Sequence, residues 1–162
     1  MPSFPPANKA AQSEAGKYGP WGGNEGSPWD ISETKGITEI KIYYGDAIYG
    51  LVITYVIDGQ PETLTVGSTI GESKQVHEVN EYFNSISGFY GAWKEVTVIK
   101  QLTLATNKGR HVPLGTKHDG DLPFPYAPPP LPPPPPYKIV GFHGRASNTA
   151  IDAIGIYCHE KN

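Results

Sequence analysis

Apolar and polar positions change places every second residue through much of this chain. Ile37–Tyr44 (ITEIKIYY) puts Ile40, Ile42 and Tyr44 on one face, the period of a half-buried strand. Leu51–Ile57 (LVITYVI) is apolar on both faces and predicts a covered strand, and Glu62–Val66 (ETLTV) alternates again. Between these two, Asp58–Gln60 (DGQ) carries a hairpin-turn signal. Gln75–Phe83 is mixed: Val76, Val79 and Phe83 have near-helical spacing, but the valines and the short length favour a strand. Glu95–Thr106 (EVTVIKQLTLAT) predicts one long strand or two bent ones, stopped by the turn Asn107–Gly109. Ile151–His159 supplies the last strand. The sum is an all-β domain of about ten to twelve short strands.

Three segments depart from the alternation. Residues 1–16 are small, polar and proline-bearing and predict a disordered tail ahead of a domain spanning 17–162. Lys17–Ile31 (KYGPWGGNEGSPWDI) brackets Trp21 and Trp29 with glycines and prolines, a loop pinned by aromatics between short strands. Residues 118–137 form a proline-rich insertion loop, in which Leu122–Tyr137 (LPFPYAPPPLPPPPPY) lacks the N–H groups a sheet interior needs and predicts polyproline II. That stretch is either a stiff surface loop or, through its PxxP registers, a ligand for a proline-reading domain.

The chain also echoes itself. ISGFYG (Ile86–Gly91) and IVGFHG (Ile139–Gly144) differ at two of six positions, and each leads through a short loop into a strand. Ile37–Tyr55 reads as a third, more diverged copy. A repeated strand–loop–strand unit implies sheets related by approximate rotational symmetry.

Composition narrows the function. Charged residues make up 18% and the net charge is −3, so a nucleic-acid partner is not expected. No apolar run nears the ~20 residues that span a bilayer, and no secretory-type run opens the chain, so neither membrane association nor export is expected. With one cysteine, Cys158, no internal disulfide forms, which fits a cytoplasmic or nucleocytoplasmic setting.

Catalytic patterns are scarce. His77, His111, His118, His143 and His159 show no metal-ligand spacing. His118–Asp121 (HDGD) lacks further ligands and reads as a solvated loop, and neither Ser27 nor Ser147 has a nucleophile-elbow context. The sequence therefore predicts no enzyme, no metal and no cofactor.

One polar constellation remains: the glycine-rich N-terminal loop and Asp152. The segments WGGNEGSPWDI, GFHGR and IDAIGIY resemble those of the jacalin-related lectins, and the likeness runs from about Tyr18 to His159 apart from the proline insertion. The resemblance implies a β-prism of three four-stranded Greek-key sheets about a pseudo-threefold axis. It also implies a sugar site joining an N-terminal glycine to a GxxxD loop. Matched onto this chain, the glycine is Gly26 and the loop is Asn148, Thr149, Ala150, Ile151 and Asp152. The Asp152 carboxylate would accept hydrogen bonds from two hydroxyls of one hexose, O4 and O6 in the family. Backbone N–H groups of Gly26, Thr149, Ala150 and Ile151 would donate to sugar oxygens.

Two departures from the family pattern stand out. The motif glycine is Asn148, a residue that tolerates left-handed backbone, and the RASNTAID loop is one residue longer than usual. In the first repeat GDAIY (Gly45–Tyr49) ends in tyrosine, and in the middle repeat GAWKE (Gly91–Glu95) ends in glutamate, so one site per chain is expected. The uncleaved loop before Gly26 and the small Thr149 and Ala150 imply mannose or glucose, with galactose the alternative. A single hexose in a shallow site binds on the order of millimolar, so useful avidity implies a homo-oligomer, a dimer or tetramer. The rival reading is a β-prism with a drifted sugar loop that presents its prolines to a protein partner.

Overall fold

The computed structural model describes residues 15–32, 36–76, 81–127, 131–132 and 135–160. Its strands are β1 (Gly16–Gly22), β2 (Ser27–Ile31), β3 (Gly36–Tyr44), β4 (Ile48–Ile57), β5 (Gln60–Gly67), β6 (Glu72–Gln75), β7 (Phe83–Trp93), β8 (Val96–Thr106), β9 (Leu114–Gly115), β10 (Leu122–Phe124), β11 (Tyr137–Ala146) and β12 (Ile151–Glu160). No helix occurs among the described residues.

The strands form three four-stranded antiparallel sheets, ordered β5-β4-β3-β6, β10-β7-β8-β9 and β1-β12-β11-β2. The first two have the Greek-key order 4-1-2-3 built around a central hairpin, and the third has the same layout when counted from β11. Those hairpins, β3–β4, β7–β8 and β11–β12, contain the three echoing segments. The third sheet is closed from both directions: β1 and β2 flank a hairpin formed by the last two strands.

One face of each sheet turns inward. Along β3, Ile37, Ile40 and Ile42 are buried, and they share one core with Leu51 and Ile53 of β4, Ile99 and Leu102 of β8, and Phe142 and Ile154 of the third sheet. At about 25 cal/mol per Å² of apolar surface, this shared core is the main force holding the three sheets together. Leu51–Ile57 is buried on one face only: Leu51 and Ile53 point into the core, while Val52, Thr54 and Val56 on the other face are partly exposed, and Ile57 is exposed at the strand end. The Asp58–Gly59 turn is as expected, with both residues at positive φ (51° and 77°), the signature of a tight primed hairpin.

Several boundaries shift. Lys17–Ile31 is mostly strand, with a loop only between β1 and β2, and Gly16 already belongs to β1; of the expected tail, 1–14 lie outside the described residues. Within Gln75–Phe83, Gln75 ends β6 and Phe83 opens β7, while 77–80 lie outside the described residues. Glu95–Thr106 is one strand from Val96 onward.

The proline insertion is not a free loop at its ends. Leu122–Phe124 forms β10, an edge strand where Pro123 needs no outward N–H, and Tyr137 opens β11. Two tyrosines tie it down. The indole N–H of Trp21 donates to the Tyr126 carbonyl (2.9 Å), and the Gly22 N–H donates to the Tyr126 hydroxyl (3.2 Å). The Tyr137 hydroxyl accepts from the Ile86 N–H (3.1 Å), and burial raises that phenol to about 12. Residues 128–130 and 133–134, the middle of the expected polyproline run, lie outside the described residues.

Candidate functional site

The three hairpins are equivalent in atomic detail. Each central pair carries a β-bulge near its turn, and in each the second strand holds one extra residue: Asp152 between the pairs Arg145↔Ala153 and Ala146↔Ile151, Tyr49 between Tyr43↔Gly50 and Tyr44↔Ile48, and Lys100 between Phe89↔Gln101 and Tyr90↔Ile99. The carbonyl of each accepts a backbone N–H from the loop that follows a flanking strand: Gly23 to Asp152 (2.8 Å), Ser68 to Tyr49 (2.9 Å) and Thr116 to Lys100 (3.0 Å). Directly before each of those donors stands a glycine at positive φ, Gly22, Gly67 and Gly115, whose added Cβ would lie 2.5 Å or less from that carbonyl oxygen. A bulge re-aims one side chain out of the pleat. The fold thus re-aims three side chains, a carboxylate, a phenol and an ammonium, at equivalent positions of the three sheets.

At the first cleft the two ends of the domain meet. Gly26 sits at φ +80°, and a Cβ there would lie 2.7 Å from the Ala146 carbonyl oxygen and 2.9 Å from Asp152 Oδ1. Only glycine lets this loop close over the carboxylate. Arg145 fixes the loop from below, donating from Nε to the Glu25 carbonyl (3.1 Å) and from its terminal nitrogen to the Gly26 carbonyl (2.7 Å).

Asp152 is 1% exposed, and its Oδ1 has no hydrogen-bond partner among the described residues. Burial, helped by the nearby Glu25 charge, pushes its carboxyl up, while the Ser147 backbone N–H and the Arg145 charge pull it partly back. A desolvated carboxylate oxygen without a donor is rare in a folded chain and costs stability. The cleft beside it measures about 310 Å³ and is lined by Glu25, Gly26, Ser147, Thr149 and Asp152, with Trp93, Lys94, Val96 and Val98 opposite. That volume suits a small ligand.

The structure brings Gly26, Thr149 and Asp152 together at this cleft, while the other predicted residues have different places. Asn148 is exposed, and its backbone is not among the positive-φ positions, so losing the motif glycine imposes no strain. Ala150 and Ile151 are core: Ala150 packs with Ala47 and Val98. The expected donors Thr149 N–H and Ala150 N–H both go to Ser147 Oγ (3.2 Å each), a serine-closed turn that stiffens the loop. Ser147 itself was not legible as a site residue. The wall of Trp93, Lys94, Val96 and Val98 was also missed, although the internal echo carried the signal: each cleft borrows one wall from the neighbouring repeat.

At the equivalent positions of the other two repeats the bulge residue already has partners within the chain, although a cavity of about 510 Å³ opens beside Lys100 and Asp121. The Tyr49 hydroxyl accepts from the Asp46 N–H (3.0 Å), and its ring packs on Trp93. In the middle repeat the equivalent of Asp152 is Lys100, not Glu95, because β7–β8 continues four pairs past its bulge and leaves Glu95 in the turn. Lys100 Nζ donates to the Ala92 carbonyl (2.9 Å) and pairs with Asp121 (3.3 Å), both side chains at 5% exposure or less. Asp121 is therefore a buried ion-pair partner, not part of a solvated loop.

The likeness to known proteins follows the same residues. The Jacalin-like lectin domain model matches residues 18–157. The chain belongs to the jacalin-like lectin family. The jacalin-related lectin Calsepa of Calystegia sepium is 34% identical over 152 residues, covering 88% of this chain and 94% of Calsepa. The mannose/glucose-specific lectin of Parkia platycephala is 33% identical, covering 86% of this chain, but this chain spans only about 31% of that protein. Among solved structures, wild-type Malaysian banana lectin superposes with a TM-score of 0.76 at 37% identity, covering 91% of this chain and 99% of the lectin. A mannose-specific jacalin-related lectin from Morus nigra, solved with mannose, gives 0.72 at 30% identity over 91% of this chain and 96% of that one. The architecture of this jacalin-like lectin domain is their β-prism, and its relatives are carbohydrate-binding proteins rather than enzymes.

Proposed function

We propose that the domain binds mannose- or glucose-type hexoses at the cleft between Gly26 and Asp152, one hexose per chain and without a metal ion. The observation that carries this reading is the buried, partnerless Asp152 Oδ1 beside a glycine loop of matching shape. A hexose presents two hydroxyls, O4 and O6, close enough together for one carboxylate to accept both with charge-assisted bonds. The intact loop before Gly26 and the small side chain of Thr149 at the cleft favour mannose or glucose over galactose. The relatives named for mannose support the same preference. Carboxylate, hydroxyls and backbone supply the contacts, so no bridging ion is required. One site per chain is supported by the equivalent positions, where a phenol (Tyr49, hydrogen-bonded to the Asp46 N–H) and an ammonium (Lys100, bonded to the Ala92 carbonyl and paired with Asp121) stand in place of the carboxylate. Millimolar affinity at one site makes self-association the route to avidity.

The test is a thermal-shift series with mannose, glucose and galactose at tens of millimolar. Stabilisation by mannose and glucose is expected, and its loss in Asp152→Ala with the fold intact assigns the site. Stabilisation by galactose alone reverses the preference, and no response to any hexose removes the reading. In that last case retention on a proline-reading domain column would favour the insertion, anchored by Tyr126 and Tyr137, as the binding element.

A further inference from the structure

The β7–β8 hairpin is the longest of the three central pairs beyond its bulge. Past Lys100 it has the four pairs Tyr90↔Ile99, Gly91↔Val98, Ala92↔Thr97 and Trp93↔Val96, whereas the bulges at Asp152 and Tyr49 are followed by a single pair before the turn. Its turn residues Lys94 and Glu95 both hold positive φ (51° and 70°). Such a backbone is unfavourable for side chains larger than glycine and persists only where surroundings hold it. The tip carries Trp93, the half-buried wall of the hexose cleft, with Lys94 Nζ 4.7 Å from its ring centre.

What holds the hairpin is specific. On one side the Tyr49 ring lies 5.5 Å from the Trp93 ring, and the Tyr49 hydroxyl is fixed by the Asp46 N–H. On the other, Lys100 Nζ bonds the Ala92 carbonyl, one residue before Trp93, and is held by Asp121. Asp121 is in turn set by the His118 N–H (2.8 Å). Tyr49 and Lys100 are the bulge residues equivalent to Asp152. The two repeats that lack a sugar carboxylate use that same position to brace the wall of the repeat that has one.

We propose that Tyr49, Lys100 and Asp121 are positioning residues for hexose recognition, acting through Trp93. The inference rests on reading the Asp152 cleft as a hexose site. It adds that affinity is set by residues that never touch the sugar. A wall displaced by about 1 Å changes how a small ring fits, and residues in one contact network show non-additive effects.

The experiment is a double-mutant cycle read by NMR titration with methyl α-mannoside. Lys100→Met and Asp121→Asn are each made in the wild-type and Trp93→Ala backgrounds, with Tyr49→Leu as a third arm should Lys100→Met fail to fold. Each single variant is expected to weaken binding about tenfold in the wild-type background and less than about twofold once Trp93 is gone. Lys100→Arg, which can still reach Asp121, is expected to recover most of the affinity. Trp93 is half-buried while Trp21 and Trp29 are buried, so a red-shifted indole emission in Lys100→Met reports release of the wall. Folded variants that bind like wild type overturn the proposal, as does the same loss in both backgrounds. A wild-type protein that binds no mannoside overturns the hexose reading and this proposal together.

Discussion

Replacing Asp152 by asparagine separates recognition from stability, because the structure has the two pulling in opposite directions. The carboxylate is 1% exposed, its Oδ1 lacks a donor, and its pKa is pushed up by burial. Hydrogen bonds to a charged group contribute about 1.5–3 kcal/mol against about 0.5–1.5 for neutral ones. Two sugar hydroxyls bonded to a neutral amide rather than to the carboxylate therefore lose about 2 kcal/mol together, about 30-fold in affinity. The ligand-free protein moves the other way. Removing an ionised, unpartnered oxygen from the interior returns about 1–2 kcal/mol at neutral pH, a Tm rise of about 3–6 °C for a chain of this size. With a wild-type Kd near ~2 mM, ~50 mM methyl α-mannoside stabilises by about 2 kcal/mol, while Asp152→Asn gains only about 0.4 kcal/mol. Differential scanning fluorimetry with and without the mannoside reads both numbers. A variant that keeps the full sugar-induced shift refutes the carboxylate's role, and one whose ligand-free Tm drops refutes the claim that the site is held at the fold's expense.

Other outcomes follow from the same coordinates. Since the folded Asp152 pKa lies above its unfolded value, ionising it costs stability as pH rises through the folded pKa. The sugar prefers the ionised form, so mannoside affinity in titrations should fall on acidification at pH values above the ~3.9 of an exposed aspartate. His143 is buried with its pKa lowered, Nε2 against the Tyr18 carbonyl at 2.8 Å; its stabilisation is present above ~6.5 and lost as pH falls toward the folded pKa. Chemical denaturation should then show a smaller loss between pH 7 and about 5 in His143→Phe than in wild type. Tyr137→Phe leaves the buried Ile86 N–H without its acceptor and should lower stability by about 1–3 kcal/mol with mannoside affinity unchanged. Gly26→Ala places a methyl against Asp152 Oδ1 and Ala146 and should abolish detectable binding in the same titration.

Much of this is legible from residue order. Period-two alternation locates β3, β5 and β8, and the Ile86–Gly91 and Ile139–Gly144 echo marks two of the three hairpins because the same bulge is built twice. Gly26 and Asp152 are legible as a pair only through resemblance, since nothing in local pattern joins residues so far apart. What escapes reading depends on register. Asparagine at 148 reads as a conformational substitute for glycine, yet its backbone demands none, because Ser147 closes the loop. Glu95 reads as the middle repeat's carboxylate, but the longer hairpin moves the equivalent position to Lys100. Asp121 reads as solvated because its partner lies across a strand pairing that no spacing rule reveals.

The third sheet is finished by strands from both extremities of the domain, and the proposed hexose cleft lies on that seam. During translation the glycine half leaves the ribosome first and must wait while two whole Greek keys are synthesised before its acidic counterpart emerges. On the proposed hexose reading, a nascent chain is thus mute toward glycans until almost the last strand of the domain is released, so that capturing a sugar would report that synthesis of the domain has run to completion.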